Sequence, residues 1–149
     1  MDNSVSLQQT KEQQRAKCAW DDISDVNKKG DDIKKKYRSL VLKSSILILT
    51  NGLGQTAAFF ASKSQPKEKT SPSADNIAHS LLLKHLWRWL ENGKICKASQ
   101  IETQESHKLA FWITQATTDQ YRLATTETLR YLQWLRRFAE AVLPEPEER

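Results

Sequence analysis

Turn-forming residues are scarce in this chain, with four Gly and four Pro in 149 residues. Pro66, Pro72, Pro144 and Pro146 all fall in two stretches, Gln65–Ser73 and Leu143–Glu148. The remainder lacks the punctuation that a sheet of short strands requires, which points to helices. Cysteine is nearly absent: Cys18 and Cys96 cannot build a disulfide framework, and no CxxC or Cys/His cluster suggests a metal. No apolar run approaches the roughly 20 residues of a membrane span, and "MDNSVSLQQTKEQQRAK" has no apolar stretch of signal-peptide length. The expectation is a reduced, cytoplasmic protein that does not touch a membrane.

What is present is charge on a moderate apolar base: 38% hydrophobic, 28% charged, net +5. That length and composition suit one domain with a real core. The expected organisation is a single helical domain over 1–149, with a flexible connection at about 63–73 and an acidic tail at 144–149. Charge is uneven along it. Residues 31–67 carry seven Lys/Arg against two Asp, whereas 145–149 carry three Glu against one Arg. A polyanionic partner and a merely solvated basic surface both fit that gradient.

Apolar spacing then gives an all-α reading, a single compact bundle of about five to six helices. From about Leu7 to Lys29, Ala16, Ala19/Trp20, Ile23 and Val26 recur at steps of three or four, a thin amphipathic stripe closed by Gly30. Asp31-Asp32 puts negative charge where the next helix begins. There Ile33, Tyr37, Leu40 and Val41 share a face, and Lys34, Lys35 and Arg38 point outward with Lys36 and Lys43 at the flanks. Ser44-Ser45 offers a break and an N-cap for a third helix running to about Ser62. After the polar "SKSQPKEKTSPSADN", helix resumes near Ser73 with Ile77, Leu81, Leu82, Leu86 and Trp89 inward, closing at Asn92-Gly93. Ser99-x-x-Glu102 resembles a capping box for the next helix, and Thr117/Thr118 opens a last one from about Asp119 to Leu143. Arg122, Arg130, Gln133 and Arg137 line the polar face of that last helix.

One stretch, "ILILTNGLGQTAAFF" from Ile46 to Phe60, imitates a dinucleotide-binding turn, because Gly52, Gly54 and Ala57 satisfy the G-x-G-x-x-G/A spacing. That fold needs a second strand and an acidic residue roughly 20 residues further on. Here the Pro/Ser/Lys connection occupies the place. A phosphate loop is excluded as well, since no Lys follows Gly54 at the required spacing. As helix, each interior Gly costs roughly 1 kcal/mol relative to Ala. Burying Ile46, Leu47, Leu49, Leu53 and Phe59 at about 1.5–3 kcal/mol apiece outweighs that. Gly54, Ala57, Ala58 and Ala61 would then form a groove for a closely approaching helix, at the centre of the bundle.

The same stretch resembles the small all-helical subunit of type III-B CRISPR effector complexes, the Cmr-type RNA-guided interference machines. The resemblance takes in "QQRAKCAW" (Gln13–Trp20), "KKYRSLVLKSSILILTNGLGQTAAFFASK" (Lys35–Lys63), "LLLKHLWRWL" (Leu81–Leu90) and "YRLATTETLRYLQWLRRFAEA" (Tyr121–Ala141). Its most distinctive part is the hexapeptide Thr50, Asn51, Gly52, Leu53, Gly54, Gln55, which the resemblance casts as structural core. It implies a non-catalytic subunit that stacks in several copies along a ribonucleoprotein filament, beside other subunits of the complex and close to guide RNA and target RNA. Cleavage would belong to other subunits, and no cofactor or metal is expected.

Read beside that resemblance, Lys17, Lys34, Lys35, Arg38, Arg122, Arg130 and Arg137 are the candidate RNA-facing cations, since phosphate contact carries affinity without sequence information. Each also fits an ordinary solvated charge. His79, His85 and His107 form no H-E-x-x-H arrangement and read as packing or surface residues. The five tryptophans can stack bases but lie on apolar faces, with Trp87 and Trp89 the expected exceptions because they point to different faces. No nucleophile, base and orienter can be named from spacing. The rival from another class is a protein-only helical adaptor or dimerisation module without nucleic acid; a helix-turn-helix DNA binder lacks the tight turn it needs.

Overall fold

Three of the described helices begin where a side-chain oxygen takes up orphan backbone N–H groups. The computed structural model describes residues 9–68, 70–97 and 102–146. Among them are six helices and no strand: α1 (Lys11–Val26), α2 (Asp31–Asn51), α3 (Leu53–Lys63), α4 (Ala74–Asn92), α5 (Lys108–Gln115) and α6 (Thr118–Val142), with a 3-10 turn at Glu105–His107 before α5. Thr10 caps α1, Ser73 caps α4 and Thr117 caps α6. Each is answered by the side chain three residues on, Gln13, Asn76 and Gln120, in a reciprocal box. Such a cap contributes about 1 kcal/mol. Ser99 lies outside the described residues, and Glu102–Gln104 are not helical, so α5 opens later than Glu102 suggests.

Ser44-Ser45 does not break the chain, contrary to expectation. The buried Ser44 hydroxyl donates to the Leu40 carbonyl at 2.6 Å, one turn back, so it is satisfied inside a continuous α2. The break falls at Gly52, whose φ of +90° only glycine adopts readily. α2 ends as the Gly52 N–H donates to the Ile48 carbonyl at 2.7 Å, and the Gly52 carbonyl receives the Thr56 N–H at 3.2 Å as α3 starts. Gly54 has a different reason. A Cβ there would lie 3.2 Å from Ile113 of α5 and 3.5 Å from the Tyr121 hydroxyl of α6. That same hydroxyl accepts the Gly54 N–H at 3.0 Å.

α1 packs on α6, α2 runs between α4 and α6, and α3 and α5 close over α4. The shared core includes Tyr37, Leu40, Phe60, Leu82, Leu83, Trp87, Leu132 and Leu135. Each such side chain, fully withdrawn from water, contributes about 1.5–3 kcal/mol. The expected all-round burial of the central stretch is wrong at three places: Ile46 is 63% exposed, Leu49 69% and Phe59 49%. The turn at Gly52 is the reason. It redirects the chain so that Leu53, Ala57 and Phe60 face inward on α3, while those three side chains stay on an outer surface.

Candidate nucleic-acid interface

The candidate cations divide between two places. On α2, Lys34 is half-buried and pairs with Asp31 at 3.3 Å, and half-buried Arg38 donates from Nη1 to the Leu143 carbonyl at 3.2 Å. Arg38 Nε is buried with no acceptor among the described residues. Lys35 lines a cleft of about 650 Å3 with Asp32, Lys36, Ser39, Asp75 and Pro146. Two of these residues are acidic, so this end is less uniformly positive than the sequence suggests. Lys36 and Lys43 are the fully exposed cations of α2.

The second place is the outer side of α1 and α6. Lys17 is exposed and 3.6 Å from Asp21. Arg122 and Arg130 are exposed with no ion pair among the described residues. Arg137 extends into solvent, 4.0 Å from Glu140, which also meets Arg136 at 3.9 Å. Gln133, Arg136 and Arg137 line a shallow cleft of about 470 Å3. Exposed ion pairs of this kind hold their partners weakly and exchange readily.

The hexapeptide is split by the Gly52 turn. Leu53 is buried, Gly52 and Gly54 half-buried, and Thr50, Asn51 and Gln55 exposed. Asn51 and Gln55 join Leu47, Thr56 and Phe59 around an open groove of about 420 Å3. The Thr56 hydroxyl is buried there without a partner among the described residues. No charged side chain lines that groove, in contrast to the α6 cleft.

Charge is also found inside, at positions that the apolar stripes did not single out. Arg15 of α1 makes a two-pronged contact with Glu127 of α6, Nε to Oε2 at 2.6 Å and Nη2 to Oε1 at 2.9 Å, and Trp89 of α4 donates its indole N–H to Oε2 at 2.8 Å. Burial pushes the Glu127 carboxyl up, but Arg15 and Trp89 outweigh it and hold the carboxyl below its usual range. Nearby, Tyr131 donates a hydrogen bond to Asp22. The Tyr37 hydroxyl meets His85 Nδ1 at 2.7 Å, and His85 Nε2 faces Asp22 at 3.9 Å. Burial, and then Arg88, hold His85 down at about 3, so the ring is neutral. Burial lifts Asp22 to about 7 against the hydrogen bond from Tyr131. Burial likewise pushes the Cys96 thiol up to about 12. The Tyr37–His85–Asp22 line is buried and, with Tyr131, ties α1, α2, α4 and α6 together.

The tryptophans sort differently from the expectation. Trp87 is fully buried and Trp89 is 6% exposed, stacked on Tyr131 with ring centroids 5.1 Å apart. The exposed one is Trp20, at 48%. No group of three or more His, Cys, Asp or Glu among the described residues is placed to hold a metal. None of the described helices is long and apolar enough to cross a membrane.

The described residues thus form an all-helical fold with exposed cations and exposed apolar side chains, and with a titratable cluster buried in the core. The family model described as CRISPR-associated protein (Cas_Cmr5) matches residues 11–142, and the chain belongs to that family. It is similar to a CRISPR-associated Cmr5 family protein from Thermus thermophilus whose X-ray crystal structure is known. The TM-score is 0.66 at 26% identity, covering 91% of this chain and 100% of that one. The family is the one that the hexapeptide and its flanking segments resemble, that of the small subunit of type III-B Cmr complexes.

Proposed function

We propose that this protein is a non-catalytic small subunit of a type III-B ribonucleoprotein effector. In that role it stacks beside other subunits and copies of itself and contacts the backbone of guide RNA and target RNA through basic surface. Family membership supports the place in the complex. The observation that carries the rest is the separation of two exposed chemistries. Arg122, Arg130 and Arg137 are exposed cations of α6, whereas Ile46 and Leu49 of α2 and Phe59 of α3 are large apolar side chains exposed to water. The first suits phosphates; the second suits protein, since large apolar side chains left in water favour burial against a partner. Burial of Tyr37, His85 and Asp22 favours a structural role for that line over a catalytic one. The chain acts as one helical domain in the cytoplasm; residues 69 and 147–149 of the connection and tail expected at 63–73 and 144–149 lie outside the described residues.

Affinity purification of a tagged copy from its native cell tests this reading, with sequencing of bound RNA and identification of bound proteins. Short RNAs from CRISPR repeats together with backbone subunits are the expected yield. If four of the candidate cations meet phosphates, the salt slope is roughly −2.8 on the single-strand relation. Unchanged salt dependence after Lys34→Gln, Lys35→Gln and Arg38→Gln together would remove the α2 cations from the interface. The second reading, a protein-only helical adaptor, draws on the apolar face alone. Recovery of a protein partner without RNA would establish it.

A further inference from the structure

Trp20 is an exposed indole in an aromatic and cationic setting. Its ring meets Phe138 of α6 edge to face, with centroids 5.1 Å apart, and Phe138 in turn leans on Trp134 at 5.6 Å. Phe138 and Trp134 are half-buried, so they fix the indole from beneath while nearly half of Trp20 stays open. Cations flank this aromatic group on both helices. Lys17 precedes Trp20 by three residues on α1, and on α6 Trp134 follows Arg130 by four and precedes Arg137 by three, spacings that make helix-surface neighbours. A hydrophobic partner would have to desolvate those charges. A polyanion with flat, apolar faces matches both components at once.

We infer that Trp20 is a base-stacking platform for an unpaired nucleotide of RNA, with the flanking phosphates taken by Lys17, Arg130 and Arg137. The inference rests on the RNA reading above and deepens it. Every base has a π-face, so the platform discriminates single-stranded from duplex RNA and not one sequence from another. Lys17 and Arg137 give up weak exposed pairs with Asp21 and Glu140 to the incoming phosphates.

The test is photo-crosslinking in the affinity-purified particle, using target RNA that carries 5-iodouridine, together with titration of the full chain with labelled oligouridine. The expected crosslink maps to Trp20. Trp20→Leu, which keeps an apolar side chain against Phe138 and is checked for folding by circular dichroism, loses the crosslink. It binds oligouridine about 5- to 140-fold more weakly with an unchanged salt slope, and Trp20→Phe restores most of the binding. Arg130→Gln with Arg137→Gln keeps the crosslink position and flattens the slope by about 1.4. Crosslinks confined to α2, with Trp20→Leu binding as the parent does, overturn the platform and leave the RNA reading standing. No crosslink and no recovered RNA overturn both. Loss of a protein subunit from the Trp20→Leu particle, with RNA retained, makes Trp20 a protein contact and overturns the platform.

Discussion

Two regions of this molecule reverse the usual distribution of side chains. Where α1 meets α6 and α4, the ionised pair Arg15 and Glu127 is buried; across α2 and α3, Ile46, Leu49 and Phe59 face water. The two differ in satisfaction. The buried charges are met by each other, by Glu12 and by the Trp89 indole, so that region is complete within one chain. The exposed apolar face has no cover from its own fold. A complete irregularity serves the architecture, and an incomplete one points outward to a partner.

The comparison breaks most visibly at Glu127. Glu127→Ala leaves Arg15 charged and nearly buried without its main partner, and loss of one member of such a pair costs about 3–5 kcal/mol. Because Arg15 keeps Glu12, itself open to solvent, the expected loss in urea denaturation is at the lower end, about 3 kcal/mol. Arg15→Met with Glu127→Leu should recover most of it. A Glu127→Ala protein of parental stability would show that the pair is not structural.

Gly52→Ala comes next. A residue forced to φ +90° with its Cβ 3.2 Å from the Tyr121 hydroxyl carries strain of about 1–3 kcal/mol. At 149 residues, about 2 kcal/mol lowers Tm by about 4–8 °C. The Asp22 cluster sharpens the same region through pH. Asp22, lifted to about 7 from an ordinary 3.8, stabilises the fold fully below the lower value and loses that contribution as pH rises through the higher. His85, held at about 3 against an ordinary 6.5, has the opposite sign: its contribution is present above 6.5 and is lost as pH falls toward 3. The two offset each other under acid, with Tyr131, Cys18, Arg88, Asp21 and Asp25 facing the same carboxylate. Between pH 4.5 and 6.5, Asp22→Asn therefore loses stability on acidification and His85→Gln gains it. Each slope is at most about 1.4 kcal/mol per pH unit, read from denaturation midpoints. Parallel profiles for both variants would overturn the assignment of opposite signs to the two groups.

Periodicity made the helices legible because it records which side of each element avoids water, and the caps at Ser73 and Thr117 stood out as hydroxyl residues ahead of apolar runs. The hexapeptide and its flanks made the family legible. Spacing misplaced the break in the central stretch, because Ser44 can satisfy its hydroxyl either at a cap or within a helix, and only tertiary packing decides. The tryptophans were misassigned for a related reason. Trp87 and Trp89 lie on different faces of α4, but α4 is enclosed on both. The buried ions left a usable trace: Arg15 and Asp22 fall at helical spacing with Ala19 and Val26, so polar residues interrupt an otherwise inward stripe.

The smallest effect on stability is the one that bears on the exposed half of the comparison. Ile46→Ser with Leu49→Ser removes apolar surface that already faces water, so the isolated chain should change by no more than about 0.5 kcal/mol per site. If the face is incomplete because a neighbouring subunit covers it, the same double variant should copurify fewer protein partners, since burial of these side chains would be worth about 1.5–3 kcal/mol each. Its affinity for oligouridine should not move if Ile46 and Leu49 face protein alone, since neither carries charge for a phosphate. Quantitative recovery of partner subunits from tagged wild-type and variant chains reads this directly. Undiminished recovery would mean that Ile46 and Leu49 are tolerated exposure and not a contact. The apolar face would then lose its claim to be the counterpart of the satisfied pair inside.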